Sequence, residues 1–319
     1  MLKSDTKRIC IFLALAFGIP WSTALILSQT VLKRDNPLQA AAMANGIFIA
    51  TPWLANLLTR LITRESWKDL WLKPNFRIGW KYWLALWLLP LLAVIIGGLL
   101  FYAIFPQSFD PAAGALRKMT ANLPAAATLS PGLLALQITL SILFISSPIN
   151  AIASLGEEFG WRAYLLQKLC NRLDQHTSAE SVKEDESLEV GTFHTAGAYK
   201  GALLTGAIHG IWHLPLIVMT SSYSAGLTLL TVLVYLVFTM SLSVLFSWGV
   251  LKSGSVWPAA IGHGVVNALS VLPGFFLAGQ PLPLLGPDPS GLLGGSGFII
   301  LALSLLFYRP AKTELTVQK

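Results

Sequence analysis

Eight long apolar stretches run through this chain, at about 9–30, 38–59, 80–105, 131–156, 201–220, 226–251, 254–277 and 290–308, and they leave it few folds to adopt. A helix crosses about 30 Å of hydrocarbon in roughly 20 residues, so each stretch is near the length of one crossing. Hydrocarbon offers no partner to an open backbone, which restricts spanning structures to helices and closed barrels. The alternation of a membrane barrel is absent. The charged fraction is 12%, against about 25% in an ordinary soluble domain. These features predict an all-α, polytopic membrane protein with about eight transmembrane helices. Residues 1–319 read as a single membrane domain, without the internal repeat expected of an inverted-repeat transporter.

Charge orients the spans. Eighteen of the 22 Lys and Arg fall on the side of the N-terminus, and Lys33, Arg34, Arg117 and Lys118 on the other. The positive-inside rule then predicts that both termini are cytoplasmic. Trp67, Trp71, Trp80, Trp83 and Trp87 cluster around the most basic connection, where interfacial anchoring is expected. The net charge of +7 needs no nucleic-acid partner, because basic loops facing anionic headgroups account for it. The implied partner is the lipid bilayer, and the expected location is integral and multi-pass in a bacterial plasma membrane. Cys10 and Cys170 lie on the reducing side in this topology, where a disulfide is not expected. The first apolar run is too long for a cleaved signal peptide, and more spans follow it. Two segments read as soluble: a basic connector over 60–79 and a flexible acidic loop over 174–199, with His176 and His194 in the latter as solvated loop residues.

Three polar clusters interrupt the apolar background. They are Glu157-Glu158-Phe-Gly-Trp-Arg162, His209-Gly-Ile-Trp-His213-Leu-Pro215 and His263-Gly-Val-Val-Asn267. Ionisable groups inside spans are rare and point to function. His209 and His213 share a helix face, as do His263 and Asn267. At about 1.5 Å per residue from the cytoplasmic end, the three histidines lie roughly 12, 18 and 14 Å deep, as one shared site would require. Gly206, Gly210, Gly262 and Gly264 flank them and favour close helix approach. Glu158 is placed to pair with Arg162, leaving Glu157 to face a cavity as a general base toward water. With the fourth span ending at 156, Glu157 would emerge at the cytoplasmic boundary. A kink at Pro148 is one way to bring it back to the depth of the imidazoles.

The ordered set Glu-Glu-x-x-x-Arg, Gly-x-x-His-Leu-Pro and His-x-x-x-Asn resembles the CAAX prenyl protease type II and bacteriocin-processing (CPBP) family of intramembrane proteases. The resemblance covers about 150–270, within a catalytic core of about 131–278. It implies peptide hydrolysis in the membrane at a site open to the cytoplasm, with Glu157, Glu158, Arg162, His213, His263 and Asn267 as the catalytic set. Peptides or proteins in or at the membrane, prenylated or of leader type, are the implied substrates. Two features depart from the family pattern. His209 stands where the family has Phe, and the acidic loop is longer than usual. No cofactor leads. His209, His213 and His263 with Glu157 would also form a three-nitrogen, one-oxygen set suited to zinc, and the family has been described both as metalloproteases and as metal-free glutamate proteases. Two other classes remain: a non-catalytic scaffold or bacteriocin self-immunity protein, and a proton-coupled transporter. Transport calls for polar groups through both leaflets, and the outer halves of the spans read as largely apolar.

Overall fold

A computed structural model describes residues 2–30, 37–177, 193, 195–219, 229–280 and 282–307. Among them the architecture is helical, with one isolated bridge between Phe109 and Leu277. Three long helices come first, α1 (Leu2–Thr30), α2 (Pro37–Thr63) and α3 (Phe76–Ile104), followed by the short α4 (Gly114–Met119) and α5 (Pro124–Thr128). Next is a continuous rod made of α6 (Pro131–Ser141), α7 (Ser147–Gly160) and α8 (Leu166–Thr177). Then come α9 (Ala196–Trp212), α10 (Leu214–Met219), α11 (Leu229–Ser253), α12 (Trp257–Leu269) and α13 (Ser296–Phe307). Seven stretches are long and apolar enough to cross a membrane. The chain is an integral, multi-pass, all-α membrane protein. The eighth predicted span forms α13, whose 12 described residues are shorter than a full crossing.

The rod corrects one expectation. The fourth apolar stretch does not end at 156: one helical candidate span of 44 residues covers Pro131–Asp174. Two π-helical turns, Ile142–Ser146 and Trp161–Leu165, join its parts. Pro148 sits in the first turn of α7, directly after one of them. A proline there lacks a donor for the preceding turn, and the wide turn accommodates that loss without ending the helix. Glu157 therefore lies well inside the bundle, at the level where Gly156 meets Ile49 and Gly160 meets Pro52 of α2.

One end of the bundle is tied by polar contacts. Arg8 bonds Asp5 at 3.0 Å and reaches Glu65 at 3.4 Å, while Lys168 and Tyr164 also bond Glu65. The connector after α2 is irregular, not helical. Val256 donates to Trp71 O at 2.9 Å, Trp257 Nε1 to Leu72 O at 2.8 Å, and Asn75 to Gly254 O at 2.9 Å. Trp67 and Trp80 are exposed, as anchors would be, whereas Trp71 packs into the core. At the opposite end the 105–110 and 273–278 segments pair, with Asp110 N donating to Phe276 O and Ala278 N to Ser108 O. Of the acidic loop, Asp174 accepts from Thr195 and from Gly197 N, which caps α9. His194, the side chain of His176 and most of that loop lie outside the described residues, as do Lys33 and Arg34.

All four flanking glycines lie at helix crossings. A Cβ on Gly206 or Gly210 would meet α11, and one on Gly262 would meet Leu86 and Phe246. On Gly264 it would lie 2.4 Å from Ala151 N and 2.7 Å from Ser147 O. Backbone cannot yield as a side chain does, so Gly264→Ala is expected to cost about 1–3 kcal/mol and to lower the melting temperature in detergent. Gly132→Ala, where nothing lies within 4 Å, is the control that should leave it nearly unchanged.

Candidate active site

Helix α7 presents Asn150, Ser154 and Glu157 along one stripe, at the three- and four-residue spacings that align side chains. Glu158 points elsewhere and is fully buried beside an equally buried Arg162. Arg162 Nη1 donates to Glu158 Oε1 at 2.9 Å, the four-residue pairing expected from the sequence. His263 Nδ1 lies 2.7 Å from the same oxygen. A carboxylate only accepts, so His263 donates through Nδ1 and turns Nε2 outward. The Arg162 guanidinium lies 5.4 Å from the centre of the Phe246 ring. Its Nε and Nη2, like Glu158 Oε2, have no hydrogen-bond partner among the described residues.

The histidines of α9 complete the site. His209 Nε2 lies 3.0 Å from Glu157 Oε2, and its Nδ1 lies 3.3 Å from Arg162 Nη1. A guanidinium can only donate, so Nδ1 accepts and Nε2 carries the proton that bonds Glu157. Arg162 thereby reaches both acids: Glu158 directly and Glu157 through the imidazole. His209, standing where the resemblance expects Phe, packs as an aromatic ring would, with ring centres 5.2 Å from Trp161 and 4.8 Å from His213. His213 Nδ1 lies 3.1 Å from the His209 carbonyl oxygen, which can only accept. Its Nε2 lone pair is consequently left for the cavity.

These groups meet around a cavity of about 400 Å³. Glu157, His213, His263 and Asn267 line it, together with Asn45 and Asp288 from more distant parts of the chain. Asn267 is exposed along the wall, and its Nδ2 donates to Ser154 Oγ at 3.4 Å. The structure therefore brings Glu157, His209, His213, His263 and Asn267 to one centre. Glu158 and Arg162 stand directly behind it. Asn45, Asn150, Ser154, Ser270 and Asp288 were not singled out from the sequence. The stripe 150–154–157 and its counterpart 263–267–270 were readable as helical spacing, whereas Asp288 arrives on a loop that folds back over the bundle.

The zinc set can be tested on these donors. Potential ligand atoms of Glu157, His209 and His213 lie within 4.8 Å of one another, and His263 is outside that group. A neutral histidine that binds metal through Nε2 carries its proton on Nδ1. In His209 that would set an N–H against the Arg162 N–H at 3.3 Å. With His209 committed to Arg162 and Glu157, only Glu157 and His213 of that group keep free donors, fewer than the three protein ligands of a catalytic zinc site, and the free Nε2 of His263 lies outside the group. With these tautomers the Glu157, His209 and His213 group does not form a three-ligand zinc set.

Residues 136–269 match the family model described as type II CAAX prenyl endopeptidase, Rce1-like. The match spans the rod through α12 and bears out the resemblance carried by the three motifs. A search of the curated proteins finds no match.

Proposed function

We propose, from a membrane core similar to that of the Rce1-like type II CAAX prenyl endopeptidases, that the chain is an intramembrane endopeptidase of glutamate type acting without a metal. The observation that carries this reading is a carboxylate and an imidazole lone pair, on Glu157 and His213, facing one cavity large enough for water and a peptide backbone. Glu157 takes a proton from water as the water oxygen attacks the scissile carbonyl carbon, and His213 orients that water. The carbonyl oxygen gains the charge. The Asn267 amide faces the same space as a donor to it, as does His263 Nε2 when the ring, held by Glu158, carries protons on both nitrogens, and these contacts count for more in a low-dielectric cavity. Glu157 then passes its proton to the departing amine as the C–N bond breaks. Glu158 and Arg162 hold His263 and His209 in register and are positioning residues.

Two measurements test this reading. Terminal profiling by mass spectrometry needs no known substrate: membranes from cells expressing the chain should contain new peptide termini that are absent when Glu157 is changed to Gln. With a peptide identified in that way, exhaustive chelation should leave the rate unchanged within about twofold. Loss of activity with rescue by zinc alone would refute the metal-free assignment. His209→Phe restores the family's residue and keeps the aromatic packing but removes the bond to Glu157. A hydrogen bond to a charged group is worth about 1.5–3 kcal/mol, so kcat should fall about 10- to 100-fold with KM little changed.

A further inference from the structure

Beyond the reacting groups, the cavity wall offers acceptors and lacks a basic side chain. On α7 the lining runs from Glu157 through Ser154 to Asn150, and on α12 from His263 through Asn267 to Ser270. Asn150 Nδ2 is held 2.9 Å from Ser146 O, and Asn267 Nδ2 3.4 Å from Ser154 Oγ, so each amide keeps Oδ1 as an acceptor. The Ser270 hydroxyl donates to Asn267 O at 3.5 Å. Asp288 lines the same cavity from the loop before α13. That loop is pinned at the level just past Ser270: Gly294 packs on Gly97 of α3, whose neighbour Gly98 packs on Pro273. Asp288 Oδ1 accepts from Ser290 N at 2.9 Å and from Ser290 Oγ at 2.7 Å. These two bonds fix the carboxylate, and its Oδ2 has no hydrogen-bond partner among the described residues.

The ionisable groups lining the cavity are the carboxylates of Glu157 and Asp288 and the imidazoles of His213 and His263. Arg162 is fully buried behind the site and paired with Glu158. Arg117 spends its guanidinium on the carbonyls of Ala112, Ala126 and Leu129, and Lys118 does not line the cavity. A wall of acceptors ending at a fixed carboxylate suits a ligand group that is cationic and rich in donors. We infer that Asp288 is a specificity-determining residue, which receives the ammonium of a Lys or the guanidinium of an Arg in the substrate. Asn150 Oδ1 and the Ser270 oxygen accept from the hydrogens that Asp288 does not take. Asn150 and Glu157 are two helical turns apart, about 10 Å along the axis. An extended peptide advances about 3.3 Å per residue, so the recognised cation lies about three positions from the scissile bond. That spacing rests on the hydrolytic reading above. The cation site does not.

Two arms test this, both with the full chain. The first uses the Glu157→Gln protein in detergent, which binds without turnover, and blocked heptapeptides of alanine with lysine, glutamine or glutamate at the centre. Titration calorimetry should show the lysine peptide bound at least about tenfold more tightly than the glutamine peptide. Asp288→Asn in the same background should remove most of that preference, and Asp288→Lys should transfer it to the glutamate peptide. The net charge of +7 disfavours cationic ligands in general, so bulk charge cannot produce the preference. No measurable binding, equal affinity for lysine and glutamine, or a preference that survives Asp288→Asn in a folded protein overturns the inference. The second arm aligns the Glu157-dependent termini found in membranes. Lys or Arg should recur about three positions from the cut, and Asp288→Asn should erase that recurrence. Termini with no basic residue at a fixed offset overturn the specificity role. If no Glu157-dependent termini arise, the protease reading fails, while calorimetry still decides whether the rim takes a cation.

Discussion

Glu157→Gln is expected to reduce hydrolysis by about 10²- to 10⁴-fold, the range associated with removing a general base. The substitution is nearly isosteric, and its side-chain carbonyl can still accept from His209 Nε2, now 3.0 Å from the carboxylate. Packing and substrate binding should therefore persist, and the loss should fall on kcat with KM little changed. The measurement is turnover of a peptide identified by terminal profiling, alongside a melting curve showing that the variant remains folded. A folded Glu157→Gln protein that turns over within about threefold of the parent would exclude this carboxylate as the base. His213→Asn should give a smaller loss, because it removes only the partner that orients the water.

Arg162→Met should act first on folding. Glu158 and Arg162 are both fully buried, and one Glu158 oxygen lacks a partner among the described residues. Deleting one member of a buried ion pair leaves an uncompensated charge and costs about 3–5 kcal/mol. The guanidinium also bonds toward His209, so the change releases the ring that holds Glu157. The double variant Glu158→Gln/Arg162→Met removes both charges and should recover much of the melting temperature. Activity should stay low, because His209 loses the guanidinium that orients it and His263 keeps only a neutral amide oxygen in place of a carboxylate. Melting curves for the two single variants and the double variant form a cycle that isolates the pair. If Arg162→Met alone melts as the parent does, the pair contributes nothing to stability.

Much of this arrangement was readable beforehand, and the exceptions share a cause. The spans followed from hydropathy, and the pairing of Glu158 with Arg162 followed from a spacing of four. The end of the fourth span did not. Hydropathy registers Glu157, Glu158 and Arg162 as a membrane boundary, yet two of these three are fully buried and the third is nearly so. Charges that satisfy one another inside a bundle look, in one dimension, like charges that meet water. The partner of Glu157 was also hidden, because a contact between residues 157 and 209 depends on how α7 and α9 are rotated. The reading of largely apolar outer halves missed the polar wall formed by Asn45, Asn150, Ser154 and Ser270, since small neutral side chains barely lower a window average. Asp288 reaches the rim through a loop whose path no periodicity specifies.

The two wide turns that bracket α7 have a consequence for how such a chain can vary. Each holds one residue more than a regular helix needs, so each shifts the angular phase of everything beyond it by about 100°. Phase on the two sides of Glu157 is thus set by two separate offsets, like a pair of vernier rings on one shaft. Removing one residue from Ile142–Ser146 would leave a smooth helix with intact backbone bonding. It would also swing the Asn150–Ser154–Glu157 stripe against whatever holds α6 in place. A shortened variant of this kind would still insert and fold as a rod, with its acid aimed at the wrong neighbour.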